Sequence, residues 1–259
     1  MRLLNTETFR LQTFDGSGKP SYAILSHTWG KDEVLFEDIY KNLVRNQNGG
    51  GKAVASKVIG AVQQALRDEC KYIWIDTCCI DKGSSAELFE AINSMFSWYE
   101  EPNTCYAYMP DVARNDEESY KSSRWFTRGW TLQELIAPRE VQFFDSQWTF
   151  IGTRSSMAAL LESITQIRPL TPQRCNLFQR HPFGGSSRTL LDSYSVCNRM
   201  SWTSQRVTTR TEDIAYCLMG IFDVHMPPLY GEGTRAFRRL QEEIIKQSND
   251  HSILPLMSI

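Results

Sequence analysis

Tyr22-Ala-Ile-Leu-Ser-His-Thr-Trp-Gly30 and Tyr72-Ile-Trp-Ile-Asp-Thr-Cys-Cys-Ile-Asp-Lys82 decide the fold. Each opens with four apolar residues and then turns polar. A run that short, bounded by polar groups, reads as a buried strand. Between the two lie a Gly/Asn-rich loop, Asn46 to Gly51, and a helix from about Lys52 to Cys70. That helix places Val54, Val58, Ala61, Val62, Ala65 and Leu66 at helical spacing. A second helix, Ser85 to Tyr99, carries a stripe of Leu88, Ile92, Met95, Phe96 and Tyr99. Cys105-Tyr-Ala-Tyr-Met109 and Val141-Gln-Phe-Phe144 read as third and fourth strands. Strands that alternate with helices pair in parallel through right-handed crossovers, so residues 1–150 are expected to form an α/β core.

After residue 150 the pattern becomes helical. Thr153 is expected to start a helix bearing Leu160, Leu161 and Ile164, and Ser187 to Arg199 reads as another. Thr209-x-x-Glu212 looks like a capping box opening a third helix, which runs through Met219 with Gly220 near its end. Met226 to Gly233 reads as a rigid turn, and Thr234 to Lys246 as a final amphipathic helix. Neither a repeat nor a linker interrupts the chain. Residues 1–259 are therefore expected to form a single domain, with 151–259 a mainly helical extension packed on the core.

Composition excludes several classes of function. The 259 residues carry a net charge of −2, so no global basic field recruits nucleic acid. No segment reaches the roughly 18 continuous apolar residues of a membrane span, and the N-terminus lacks the apolar run of a signal peptide. Seven cysteines, an odd number, fall in or beside apolar segments. That pattern suggests reduced thiols in a cytoplasmic protein. The four histidines are scattered and form no CxxC or HxxxH pair, so neither a metal site nor a required cofactor is expected.

The first two strands discharge polar side chains at one edge: Ser26, His27 and Trp29 from the first, Asp76, Thr77 and Asp81 from the second. In open parallel sheets, ligands bind outside the carboxyl ends of the strands. Between the third and fourth strands runs Arg124-Trp-Phe-Thr-Arg-Gly-Trp-Thr-Leu-Gln-Glu-Leu135, whose second half reads as a short helix stopped by Pro138.

Several of these stretches, in order, resemble the motifs of the fungal heterokaryon-incompatibility (HET) domain. They are Tyr22–Gly30, Tyr72–Lys82, Ala91-Ile-Asn-Ser-Met-Phe-Ser-Trp-Tyr99 and Arg128-Gly-Trp-Thr-Leu-Gln-Glu-Leu135. Glu212 to Phe222 and Leu229-Tyr-Gly-Glu-Gly233 resemble the downstream half of HET modules fused to nucleotide-binding receptors. The resemblance implies a cell-death effector of fungal non-self recognition; self-association, the simplest switch for such a module, and a fused or partner nucleotide-binding receptor are expected beside it. It also implies a remote likeness to TIR domains, with their flavodoxin-like parallel sheet flanked by helices; some of these cleave NAD+. Trp130-Thr-Leu-Gln-Glu-Leu135 is similar to the segment that holds the TIR catalytic glutamate, which carries over to Glu134. The TIR cysteine after the tryptophan is Thr131 here, a departure that leaves the carboxylate untouched.

The chemistry is coherent with NAD+ or a related nucleotide as substrate. The nicotinamide leaving group departs without protonation, so one carboxylate that steadies an oxocarbenium-like ribose suffices. Arg124 and Arg128 could hold the pyrophosphate. Trp29, Trp125 or Trp130 could stack on a base, and His27 and Asp76 could bond a ribose. Structural readings stand beside each of these. Glu134 could pair with Arg124 or Arg128, Asp76 and Asp81 could cap the following turn or helix, and Trp74, Trp98 and Trp130 could be core. A scaffold that kills only by recruiting partners is the alternative to the enzyme.

Overall fold

The computed structural model describes residues 1–15, 18–41, 55–114, 116–168 and 187–253. The Gly/Asn-rich loop, residues 52–54 of the first expected helix, Cys175 and residues 254–259 lie outside them. A seven-stranded sheet is built from β1 (Arg2–Asn5), β2 (Leu11–Thr13), β3 (Ala23–His27), β4 (Tyr72–Trp74), β5 (Thr104–Tyr108), β6 (Val141–Phe144) and β7 (Phe150–Thr153). Its order is β2-β1-β4-β3-β5-β6-β7.

The four strands read from sequence form the parallel centre, β4-β3-β5-β6. Every residue of β3 and β5 is buried, as befits parallel strands covered on both faces. Numbered by their own succession, these strands run second, first, third, fourth. That is the doubly wound, flavodoxin-like order, and its switch point lies between the carboxyl ends of β3 and β5. The antiparallel strands β1, β2 and β7 extend the sheet at both sides and were not expected.

Thirteen helices occur among the described residues. In the α/β half they are α1 (Phe36–Tyr40), α2 (Ala55–Arg67), α3 (Asp76–Cys79), α4 (Ser85–Glu100), α5 (Glu117–Lys121), α6 (Arg124–Thr127) and α7 (Thr131–Ile136). Beyond β7 follow α8 (Ala158–Thr165), α9 (Ser187–Leu191), α10 (Val196–Ser201), α11 (Asp213–Tyr216), α12 (Met219–Phe222) and α13 (Arg235–Gln247). Ser84 caps α4 by accepting from the Glu87 amide, and Ser123 caps α6 through Trp125. Trp74, Trp98 and Tyr99 meet edge to face in the core, which is where sequence places both tryptophans.

Three helical expectations need correction. Thr153 closes β7 instead of opening a helix, because residues 150–153 pair antiparallel with β6, and α8 begins only at Ala158. The stretch Ser187 to Arg199 splits in two, since Ser195 turns the chain and caps α10 through the Asn198 amide. Glu212 does not complete a capping box. Its carboxylate accepts instead from the Gly231 and Gly233 amides at 2.8 and 3.0 Å, tying a distant turn to the start of α11. The expected third helix is therefore broken into α11 and α12. Gly220 lies inside α12, where a Cβ would overlap Phe96 of α4.

The helical half also meets the α/β half beside α7. Val207 donates its amide to Thr127 and accepts from Gly129, at 2.7 and 2.9 Å, in a parallel bridge opposite Arg128.

Candidate active site

The carboxyl end of β3 and the short helix α7 bring Ser26 and Glu134 together. The Trp125 indole N–H donates to Ser26 Oγ at 2.8 Å, and Ser26 Oγ donates to Glu134 Oε2 at 2.5 Å. An indole N–H can only donate, so it fixes Ser26 as its acceptor and turns the serine proton toward the carboxyl. Burial pushes the Glu134 carboxyl up to about 8, against the Ser26 hydrogen bond and with the Asp76 charge adding to the rise. No arginine pairs with Glu134 among the described residues; Arg128 acts on it only through its field.

Two buried arginines hold the helix that carries Glu134. Arg206 Nη1 donates to the Arg128 carbonyl at 2.8 Å and to Thr131 Oγ1 at 3.0 Å, at the start of α7. Arg154 donates to the Leu135, Ile136 and Arg139 carbonyls at 2.8, 3.2 and 2.7 Å. These include the last carbonyls of α7, which have no partner within the helix.

Beside Glu134 lies a cluster of buried polar side chains. His27 is buried, with Nε2 3.7 Å from both Glu33 Oε2 and Asp76 Oδ1. Those gaps are too wide for hydrogen bonds. Both His27 ring nitrogens, Glu33 Oε2, Asp76 Oδ1, Thr77 Oγ1 and Lys82 Nζ are buried without a partner. Buried polar groups are almost always satisfied, so a concentration of exceptions marks a place that water or a ligand fills. Glu33 Oε1 takes Lys57 Nζ at 2.6 Å and the Gly30 amide at 2.5 Å. Burial pushes Glu33 up, but His27, Lys57 and Gly30 together hold it at about 2. Trp29, 39% exposed, donates its indole N–H to Asp76 Oδ2 at 2.7 Å.

The structure thus assembles Ser26, His27, Trp29, Asp76 and Glu134, with Arg128 reaching the Trp29 ring at 5.6 Å. The other expected site residues are placed differently. Trp125 is fully buried, so it serves as a hydrogen-bond donor and not as a stacking surface. Trp130 is half-buried and packs against the core, with the Asp213 carboxyl of α11 in reach of its influence. Asp81 accepts from the Gly83 amide at 2.9 Å in the turn before α4. Arg124 is exposed, and among the described residues its guanidinium makes no contact with the cluster. Glu33, Lys57, Lys82, Arg154 and Arg206 carried no signal in sequence beyond their charge. Only Lys82, at the end of the second strand motif, stood next to residues already singled out.

Burial pushes the thiols of Cys78, Cys105 and Cys217 up, leaving no thiolate nucleophile there; for Cys78 the Cys79 thiol beside it is the larger cause. No cluster among the described residues could hold a metal ion, and no described helix is long and apolar enough to cross a membrane. A cavity of about 370 Å³ lies elsewhere, against Tyr120, Asp145, Phe150 and Leu160, and none of the cluster residues lines it.

Residues 22–118 match the family described as heterokaryon incompatibility protein (HET). The chain is 46% identical over 241 residues to the vegetative incompatibility protein HET-E-1 of Podospora anserina. That alignment covers 89% of this chain and 16% of the relative, so the chain spans less than a fifth of that protein's length. No solved structure matches. The matched segment holds Ser26, His27, Trp29, Glu33, Asp76 and Lys82 but ends before Glu134.

Proposed function

This chain belongs to the heterokaryon incompatibility family, and from that premise we infer that it is a cell-death effector of fungal non-self recognition that cleaves NAD+ at the nicotinamide–ribose bond when self-associated. The observation that carries the reading is the buried Ser26–Glu134 pair beside a cluster of buried polar atoms that lack hydrogen-bond partners. His27, Asp76 and Glu33 suit ribose hydroxyls, which can both donate and accept. Trp29 suits a planar base. As the C1′–N bond breaks, its electron pair leaves with neutral nicotinamide. The ribosyl carbon left behind is cationic, and Glu134 steadies it until water adds and a proton is released. The cationic substrate ring itself draws the Glu134 proton off, because a nearby positive charge favours the carboxylate.

The likeness to TIR domains belongs to this proposal, as does the treatment of residues 1–259 as one HET unit. So do a cytoplasmic setting and a trigger supplied by a fused or partner nucleotide-binding receptor. Clustering is a simple switch for a module that must be off at rest.

The test is nicotinamide release from NAD+ by purified protein, dilute and artificially oligomerised, with Glu134→Ala alongside. Release by wild type that rises with light scattering across a concentration series, and is lost in Glu134→Ala, is the expected result. If the variant matches wild type in release, or remains equally toxic in cells while surface variants that block assembly do not, the scaffold reading replaces the enzyme.

A further inference from the structure

Trp29 carries two cations. The Lys82 ammonium lies 3.5 Å from the centre of its indole ring, and the Arg128 guanidinium 5.6 Å. Neither cation has an ion-paired carboxylate among the described residues. Glu33 is taken by Lys57, and Asp76 by the Trp29 indole with His27 nearby. Lys82 Nζ is out of solvent and has no hydrogen-bond acceptor. Stacking on an indole returns only part of the hydration an ammonium gives up. Lys82 is thus held short of an acceptor beside Trp29, where Lys57, Lys82 and Arg128 face the carboxyl groups of Glu33 and Asp76 and where burial lowers both lysines. Glu134, raised by burial to about 8, adds little negative charge near neutral pH.

What this arrangement lacks is an anion joined to a flat ring. Lysine binds phosphate as a point charge and arginine as a bidentate fork. We propose that Lys82 and Arg128 form a phosphate subsite astride Trp29, and that Lys82 leaves the ring face to bind the phosphate, so that the ligand's base takes its place on the indole. The ligand class is a nucleotide. In that respect the subsite rests on the function proposed above, though it does not require cleavage. Lys82 replaces Arg124, which sequence paired with Arg128. In the resting chain Lys82 occupies the Trp29 ring face; a nucleotide frees that face by offering Lys82 a better partner.

The experiment uses the full chain and titrates ADP-ribose and inorganic pyrophosphate by calorimetry. Lys82→Met and Arg128→Met are each expected to weaken ADP-ribose binding about tenfold or more, the loss of one charge-assisted contact. Arg238→Met, on the exposed side of α13, is the charge control and leaves binding unchanged. Lys82→Arg keeps the cation and retains the binding, which separates a lost contact from a damaged fold. ADP-ribose is further expected to quench indole emission in wild type and to leave Trp29→Phe unquenched.

Binding of ADP-ribose by Lys82→Met as tight as wild type, no binding by wild type, or equal quenching in Trp29→Phe overturns the subsite. The two readings fail differently. Lys82-dependent ADP-ribose binding without NAD+ turnover removes cleavage and keeps the subsite. Turnover whose KM ignores Lys82→Met removes the subsite and keeps cleavage.

Discussion

Glu134 and Glu33 sit a few side chains apart, yet their surroundings push them in opposite directions. Burial holds Glu134 at about 8, whereas the unfolded chain releases that proton near 4.5. Between those values the folded protein binds the extra proton, so its stability falls as pH rises, by at most about 1.4 kcal/mol per pH unit. Glu33 is held at about 2, below its unfolded value of 4.5. Its contribution is complete above 4.5 and is lost as pH falls through 2. Denaturant melts at a series of pH values should therefore show Glu134→Gln flattening the decline from pH 5 to 8. Glu33→Gln should flatten the decline below pH 4.5 while lowering stability at pH 7, because it leaves Lys57 buried without its carboxylate. A Glu134→Gln variant that still loses stability between pH 5 and 8 as wild type does would show the carboxyl to be ionised throughout. If NAD+ is cleaved, kcat/KM should rise with pH toward about 8 as the same proton leaves.

At the scale of elements, what sequence made legible was what local pattern decides. The central strands announced themselves as short apolar runs, and α4 by its stripe and its serine cap. The edge strands β1, β2 and β7 did not, because their pairing is set by neighbours far along the chain and only partly by their own alternation. For the same reason Glu212 read as a capping box when its partners are the amides of Gly231 and Gly233. The site was half legible. Residues that end strands could be placed at the edge, but Arg154 and Arg206 act from the helical half, and only the fold brings them to α7.

Gly220 shows how packing reverses a local rule. In an exposed helix interior Gly→Ala gains about 1 kcal/mol. In α12 the new methyl meets the Cβ and ring of buried Phe96, so Gly220→Ala should instead cost about 1–3 kcal/mol. Chemical denaturation measures it, and a stabilised Gly220→Ala would show that α12 does not press on α4 as described.

Over the whole molecule, the likeness to HET-E-1 spans Glu134, but the segment matched by the family description stops short of it. The matched segment ends at residue 118, while Glu134 lies beyond it and is held by side chains further on still. Arg154 closes the last carbonyls of α7, Arg206 fixes its start, and Val207 runs as a bridge opposite Arg128. Remove residues 151–259 and those carbonyls lose their donors, Phe96 loses the α12 backbone, and β6 loses β7 as its partner. Buried acceptors left without donors cost about 1–3 kcal/mol each, a large share of the roughly 5–15 kcal/mol that holds a domain together. A fragment of residues 1–150 is therefore expected to lack a cooperative thermal transition and to show exposed apolar surface by dye binding, whereas the full chain melts in one step. Should the fragment melt cooperatively near the full-chain midpoint, the two halves are separate domains, and the arginines that now look like the frame of Glu134 are only its neighbours.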